Sequence, residues 1–140
     1  MIRLFKPQDI AKLVELWYDA SVIAHDFIEK NYWEEKKKEM AEIYIPNSET
    51  YVYEQAGQII GFVSLLENYI AAIFVAPAQQ GKGVGKALMQ FVKQQRKTLT
   101  LGVYAKNINS IAFYKKQGFV VVEEKIDEPT GEQELVMACS

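Results

Sequence analysis

One short stretch constrains this chain more than any other. Between the nearly continuous apolar run Ile70-Ala71-Ala72-Ile73-Phe74-Val75 and a helix marked by Val84, Leu88, Phe91 and Val92 lies the loop Gln79-Gln80-Gly81-Lys82-Gly83-Val84-Gly85-Lys86, with glycines at three alternate positions. The apolar run, stopped by Pro77, predicts a strand central to a sheet and covered on both faces. Leu99, Leu101 and Val103 alternate as a further strand, so strand, helix and strand form a βαβ unit with parallel neighbours. A turn free of Cβ atoms exposes backbone N–H groups, and the helix N-terminus adds the positive end of its dipole. The loop is therefore built to hold an anion such as a phosphate or pyrophosphate, with Lys82 and Lys86 close by.

Spacing narrows the ligand. A Walker loop needs Lys-Ser/Thr after its last glycine and a longer glycine separation, but Gly85-Lys86 is followed by Ala87. A dinucleotide turn needs a glycine three places after a Gly-x-Gly pair, and none stands there. Both nucleotide readings are disfavoured.

The rest of the chain supplies a frame for this loop. Ile2–Leu4 reads as a strand, Pro7 opens a helix to about Ala20 that continues towards His25, and Asn31–Tyr44 reads as a second helix with Trp33, Met40 and Tyr44 on one side. Thr50–Glu54 and Ile59–Leu66 form a hairpin around Gln55-Ala56-Gly57-Gln58. Ser110–Lys116 is a short helix ended by Gly118, and Phe119–Glu124 and Glu134–Ala138 are the last strands. With 140 residues and no linker or repeat, the expected organisation is one domain over residues 1–140.

Composition removes several classes of function. Sixteen basic against eighteen acidic residues give a formal charge of −2, a poor match to a nucleic-acid partner. The N-terminus lacks a basic segment followed by an apolar core, and no apolar run approaches the roughly 18 residues of a membrane span, so a soluble cytoplasmic protein without a membrane partner is expected. Cys139, the only cysteine, cannot make an internal disulfide, and one cysteine with one histidine offers no metal-ligand spacing.

Gln80-Gly81-Lys82-Gly83-Val84-Gly85 resembles the acyl-CoA loop Q/R-x-x-G-x-G/A of the GNAT superfamily of N-acetyltransferases. The similarity extends to Phe74-Val75-x-Pro77 before the loop. It returns downstream at Asn107 and Ala112-Phe113-Tyr114-Lys115-Lys116-Gln117-Gly118-Phe119, with the family's alanine shifted by one or two places. Leu16-Trp17, His25-x-Phe27-Ile28, Asn31-Tyr32-Trp33 and Ala71-Ala72-x-Phe74 look like the small bacterial YiaC-type branch. The resemblance implies an α/β (α+β) GNAT fold: a mixed, mostly antiparallel sheet of about seven strands, about four flanking helices and a splayed central parallel strand pair.

It also implies an acetyl-CoA-dependent N-acetyltransferase that passes the acetyl group directly to a primary amine of a protein lysine, a protein N-terminus or a small molecule. The alternative is a non-catalytic acyl-CoA-binding regulatory module. By resemblance, the backbone of Ile73, Phe74 and Val75 holds the pantetheine arm and Asn107 its amide, while Gln80, Gly81, Lys82, Gly83, Val84, Gly85 and Lys86 surround the pyrophosphate. Tyr114 aligns with the tyrosine that donates to the CoA sulfur, and a phenol of pKa near 10 is protonated at neutral pH. Many relatives place a base carboxylate on the central strand, where this chain has Ala71 and Ala72. His25, the only histidine, and Glu67 are the candidates left, with Tyr69, Trp17 and Trp33 as possible walls of an acceptor pocket. No metal is expected, and the resemblance implies a monomer or homodimer.

Overall fold

In a computed structural model that describes all 140 residues, seven strands form one sheet in the order β1-β2-β3-β4-β5-β7-β6. These are β1 (Ile2–Leu4), β2 (Glu49–Gln55), β3 (Gln58–Leu66), β4 (Tyr69–Val75), β5 (Leu99–Tyr104), β6 (Val120–Asp127) and β7 (Glu132–Cys139). Every neighbouring pair is antiparallel except β4 and β5. The helices are α1 (Ile10–Ala24), α2 (Lys30–Glu39), α3 (Val84–Gln95) and α4 (Ile108–Lys116). The mixed α/β fold with one parallel strand pair is the one the resemblance implied, and the loop's surroundings gave its β4-α3-β5 unit.

Each sheet face carries its own core. Leu88, Met89 and Val92 of α3 pack with Val63, Leu101, Phe119 and Met137 on one face. Leu13, Leu16 and Trp17 of α1 pack with Trp33, Val52 and Phe62 on the other. The start of α1 is tied to the sheet edge by Arg3, which bonds the Asp9 carboxylate at 2.9 Å and Glu54 at 2.9 Å. The hairpin turn between β2 and β3 forms at Ala56 and Gly57, both left-handed, as two-residue hairpin turns require.

The structure corrects three local expectations. After α2 the chain makes a π-helical turn over Met40–Tyr44, which moves Tyr44 off the core face; it is 51% exposed, and Ile45, at 1%, fills the place instead. In β4 only Ile70 is buried, while Ile73, Phe74 and Val75 are half-buried along an open cleft rather than covered on both faces. The last helix begins two residues earlier than expected because Asn107 caps it, its Oδ1 accepting from the Ser110 N–H at 3.3 Å.

Gly61 of β3 permits the close approach of α3. A Cβ there would meet Val84 Cγ1 at 3.0 Å, Leu88 Cδ1 at 3.2 Å and the Phe74 carbonyl at 3.2 Å. Gly61→Val is expected to lower stability by about 1–3 kcal/mol through overpacking. The readout is a lower urea midpoint at unchanged slope.

Candidate active site

Parallel pairing between β4 and β5 lasts for only two residue pairs, Tyr69 with Thr100 and Ile70 with Leu101. Ala71 then has no partner across β3, since Ser64 pairs Ala72 and Leu65 pairs Ile70. A one-residue bulge of this kind bends and twists its strand. Beyond it, Ala72 to Val75 follow β3 and leave β5, and a cleft of about 1150 Å³ opens between the strands and is lined from both sheet faces. The backbone edge of β4 along this gap has no strand partner.

The glycine loop closes one end of the cleft. Gly81 and Gly83 are left-handed, with φ of 78° and 86°, and a Cβ on either would meet nothing within 4 Å, so the loop surface is open. Gly83 is the N-cap of α3, and the first helical bond runs from the Ala87 N–H to its carbonyl at 3.0 Å. The N–H groups before Ala87 therefore lack helical acceptors and face out with the dipole behind them. Gln80 donates its side-chain amide to the Val75 carbonyl at 3.2 Å, which ties the loop to the end of β4. An anion fits this cradle, and Lys82 and Lys86, both exposed, stand at it.

Asn107, Tyr114 and His25 line the same cleft. Because Asn107 Oδ1 is committed to the α4 cap, its Nδ2 donates to His25 Nε2, 3.3 Å away. The ring proton of His25 is then on Nδ1, which is buried with no partner. The ring packs against Trp33 and Tyr104, each with centroids 5.1 Å away, and burial pushes its pKa down to about 4. His25 is thus a neutral wall residue whose free lone pair is already engaged. Tyr114 is 9% exposed, and burial first, then the nearby Tyr69, push its phenol well above the usual range, so it keeps its proton.

Beyond these residues, Tyr69, Gly102, Tyr104 and Glu134 line the cleft from β4, β5 and β7. A Cβ on Gly102 would stand 2.7 Å from Glu134 Oε2 and 3.3 Å from the Tyr69 hydroxyl. Burial and then the Glu134 charge push the Tyr69 phenol upward. Tyr104 donates its hydroxyl to Asp127 at 3.1 Å. Sequence reasoning singled out Tyr69 but missed Glu134, which read only as a strand residue. The available signal was Gly102, since glycine inside a strand marks a close approach. Glu67 is not brought to the cleft: it is exposed in the β3–β4 turn, left-handed at φ 55°, with its carbonyl held by Arg96 at 2.9 Å.

The acetyltransferase (GNAT) domain family matches residues 8–134. The chain belongs to the GNAT acetyltransferase family. The peptidyl-lysine N-acetyltransferase YiaC of Escherichia coli is 40% identical over 124 residues, which cover 88% of this chain and 85% of that protein. Among solved structures, apo YjaB from Escherichia coli superposes with a TM-score of 0.87 at 27% identity, over 99% of this chain and 95% of that one. The PaiA N-acetyltransferase of Thermoplasma acidophilum, in complex with coenzyme A, shares the fold at a TM-score of 0.84 and 19% identity, over 100% of this chain and 98% of that one.

Membership makes this chain an acetyl-CoA-dependent N-acetyltransferase, and the cradle of Gly81 and Gly83 fits the donor's pyrophosphate. One consequence of the wall is measurable without substrate. His25 is the only histidine, with a folded pKa of about 4 against 6.5 unfolded. Above pH 6.5 neither state is charged; on acidification the unfolded chain binds the proton first. Stability should therefore fall by up to about 3 kcal/mol between pH 6.5 and 4. Urea midpoints of the wild type should fall across that window, and those of His25→Gln should stay nearly flat down to pH 5.

Proposed function

We propose that this acetyltransferase acts on lysine side chains of proteins, by direct transfer within one ternary complex. The observation that carries the reading is one continuous cleft between β4 and β5 that Gly81 and Gly83, Tyr114, and Tyr69, Tyr104 and Glu134 all line. The lysine acceptor is drawn from the similarity to the peptidyl-lysine enzyme. Donor cradle and acceptor floor come from one chain, so the reaction needs no second copy, and monomer and homodimer serve equally. The same reading places the enzyme in the cytoplasm, where Cys139 stays reduced, and at a net charge of −2 gives it no nucleic-acid partner; no helix is long and apolar enough to cross a membrane.

Acetyl-CoA supplies the thioester. The N–H groups from Gly81 to Lys86 hold its pyrophosphate, with Gln80 keeping the loop against the strand end, and the free edge of β4 at Ile73, Phe74 and Val75 pairs with the amide-bearing arm. Asn107, fixed by its cap and by His25, presents its side chain to the same arm. A neutral amine forms the new C–N bond while a backbone N–H on the unpaired edge of β4 steadies the charge on the carbonyl oxygen. The C–S bond then breaks, and Tyr114 donates to the departing sulfur. His25 serves as a positioning residue here. Glu67, outside the cleft, has no group to act on.

Tyr114→Phe removes the donor while keeping the ring. It should lower kcat by about 10²- to 10⁴-fold and leave the acetyl-CoA dissociation constant within about threefold. Thiol release with a lysine peptide and a thermal melt with acetyl-CoA measure the two quantities. Full turnover in the variant overturns the acid role. Wild-type protein that binds acetyl-CoA but releases no thiol with any lysine peptide is instead an acyl-CoA-binding module, a reading that the missing carboxylate at Ala71 and Ala72 allows.

A further inference from the structure

The carboxylate expected on β4 is absent, yet the mouth of the cleft is not without one. Glu134 stands on β7 directly opposite Tyr104 of β5, on the α1–α2 face of the sheet. Its Oε1 lies 3.6 Å from the half-exposed Lys125 of β6. Its other oxygen, Oε2, reaches over Gly102 into space that any side chain at that position would occupy. Gly102 follows Leu101, the last β5 residue paired with β4, so Oε2 is placed where the two strands part. From the β4 side the Tyr69 hydroxyl enters the same space.

We propose that Glu134 is the acceptor-binding carboxylate of this enzyme: Oε2, with the Tyr69 hydroxyl beside it, receives the ammonium group of the incoming amine at the mouth of the β4–β5 gap. The assignment rests on the acetyl-transfer reading and specifies its substrate, a primary amine that arrives as a cation. The surroundings suit that chemistry. Tyr69, Tyr104 and Trp33 line the same cleft, aromatic side chains suited to a methylene stem and a cation. Asp127, which accepts from the Tyr104 hydroxyl, adds negative charge nearby, and Lys106 is paired with Glu132 at 3.2 Å, so Lys125, on Oε1, is the one cation that Glu134 already holds. Lys125 sits on Oε1 at 3.6 Å, a long contact that leaves Oε2 to the ammonium.

The bonds and protons balance without a further reagent. The ammonium gives up one proton to solvent past Glu134 before its nitrogen forms the C–N bond. A second N–H proton is lost as the C–S bond breaks, and replaces the one that Tyr114 lends to sulfur. The products are the acetamide, the free thiol and one proton.

Two variants test the assignment in the full chain, with acetyl-CoA and a lysine peptide whose N-terminus is blocked. Glu134→Gln removes the charge at nearly constant shape, and Gly102→Ala pushes the carboxylate aside without removing it. Each should raise the peptide KM by roughly 10- to 100-fold, the worth of one charge-assisted hydrogen bond, and leave the acetyl-CoA KM within about twofold. Thermal melts check folding; a structural role would move the Tm and both KM values together. Peptide KM values unchanged in an active Glu134→Gln protein overturn the Glu134 assignment alone. Wild-type protein that binds acetyl-CoA but acetylates no lysine peptide overturns the acetyl-transfer reading, and this assignment with it.

Discussion

The separation of β4 from β5 after two residue pairs is the constraint on which the remainder of the site depends. A continuous parallel pair would satisfy the backbone of both strands and leave no passage through the sheet. The bulge at Ala71 and the glycine at Gly102 flank the point of separation, so the strand bends on one side and the surface is cut away on the other. Backbone N–H and C=O groups on the free edge then need partners from water or from a ligand that itself carries amides. The sheet survives this interruption because β3 pairs β4 up to Val75 and β7 pairs β5 along its whole length.

Asn107 links three parts of the cleft with one side chain. Its Oδ1 ends the N-terminus of α4, its Nδ2 reaches the imidazole at the end of α1, and the residue lines the cleft between them. The cap orients the amide, the amide sets the tautomer of His25, and the aromatic rings around His25 keep it uncharged. The unpaired Nδ1 is a standing cost, since a buried donor without an acceptor loses its hydration. A neutral wall beside the acceptor floor leaves the negative charge of Glu134 and Asp127 unopposed by an imidazolium. That is an electrostatic reason for a histidine to be held neutral there.

The open glycine loop was legible in the sequence because its conformation is local. Gly81, Gly83 and Gly85 act through their own backbone, and the strand and helix on either side are visible as an apolar run and an amphipathic repeat. The β2–β3 turn at Ala56 and Gly57 was legible for the same reason. Tyr44 was misplaced because a π-helical turn adds one residue to a helical repeat, and nothing in the repeat announces it. The apolar run of β4 was taken for a strand covered on both faces, whereas half of it lines a cleft. Glu134 escaped because its position relative to Gly102 and Tyr69 is set by the order β4-β5-β7, a pairing between segments far apart in the chain.

In the proposed mechanism, the environment of Tyr114 governs how its phenol would help a thiolate leave. Burial raises its pKa, and the nearby Tyr69 adds to the shift, so outright proton release becomes harder as the site becomes drier. The same dry surroundings strengthen the hydrogen bond that its O–H makes to a developing negative charge. The balance favours a donor that shares its proton with the sulfur over one that surrenders it early, before charge has built up there. A phenol exposed to water would ionise more easily but stabilise the sulfur less. Burial at the junction of α4 and the sheet, against Phe113 and Phe119, is therefore compatible with chemistry as well as packing.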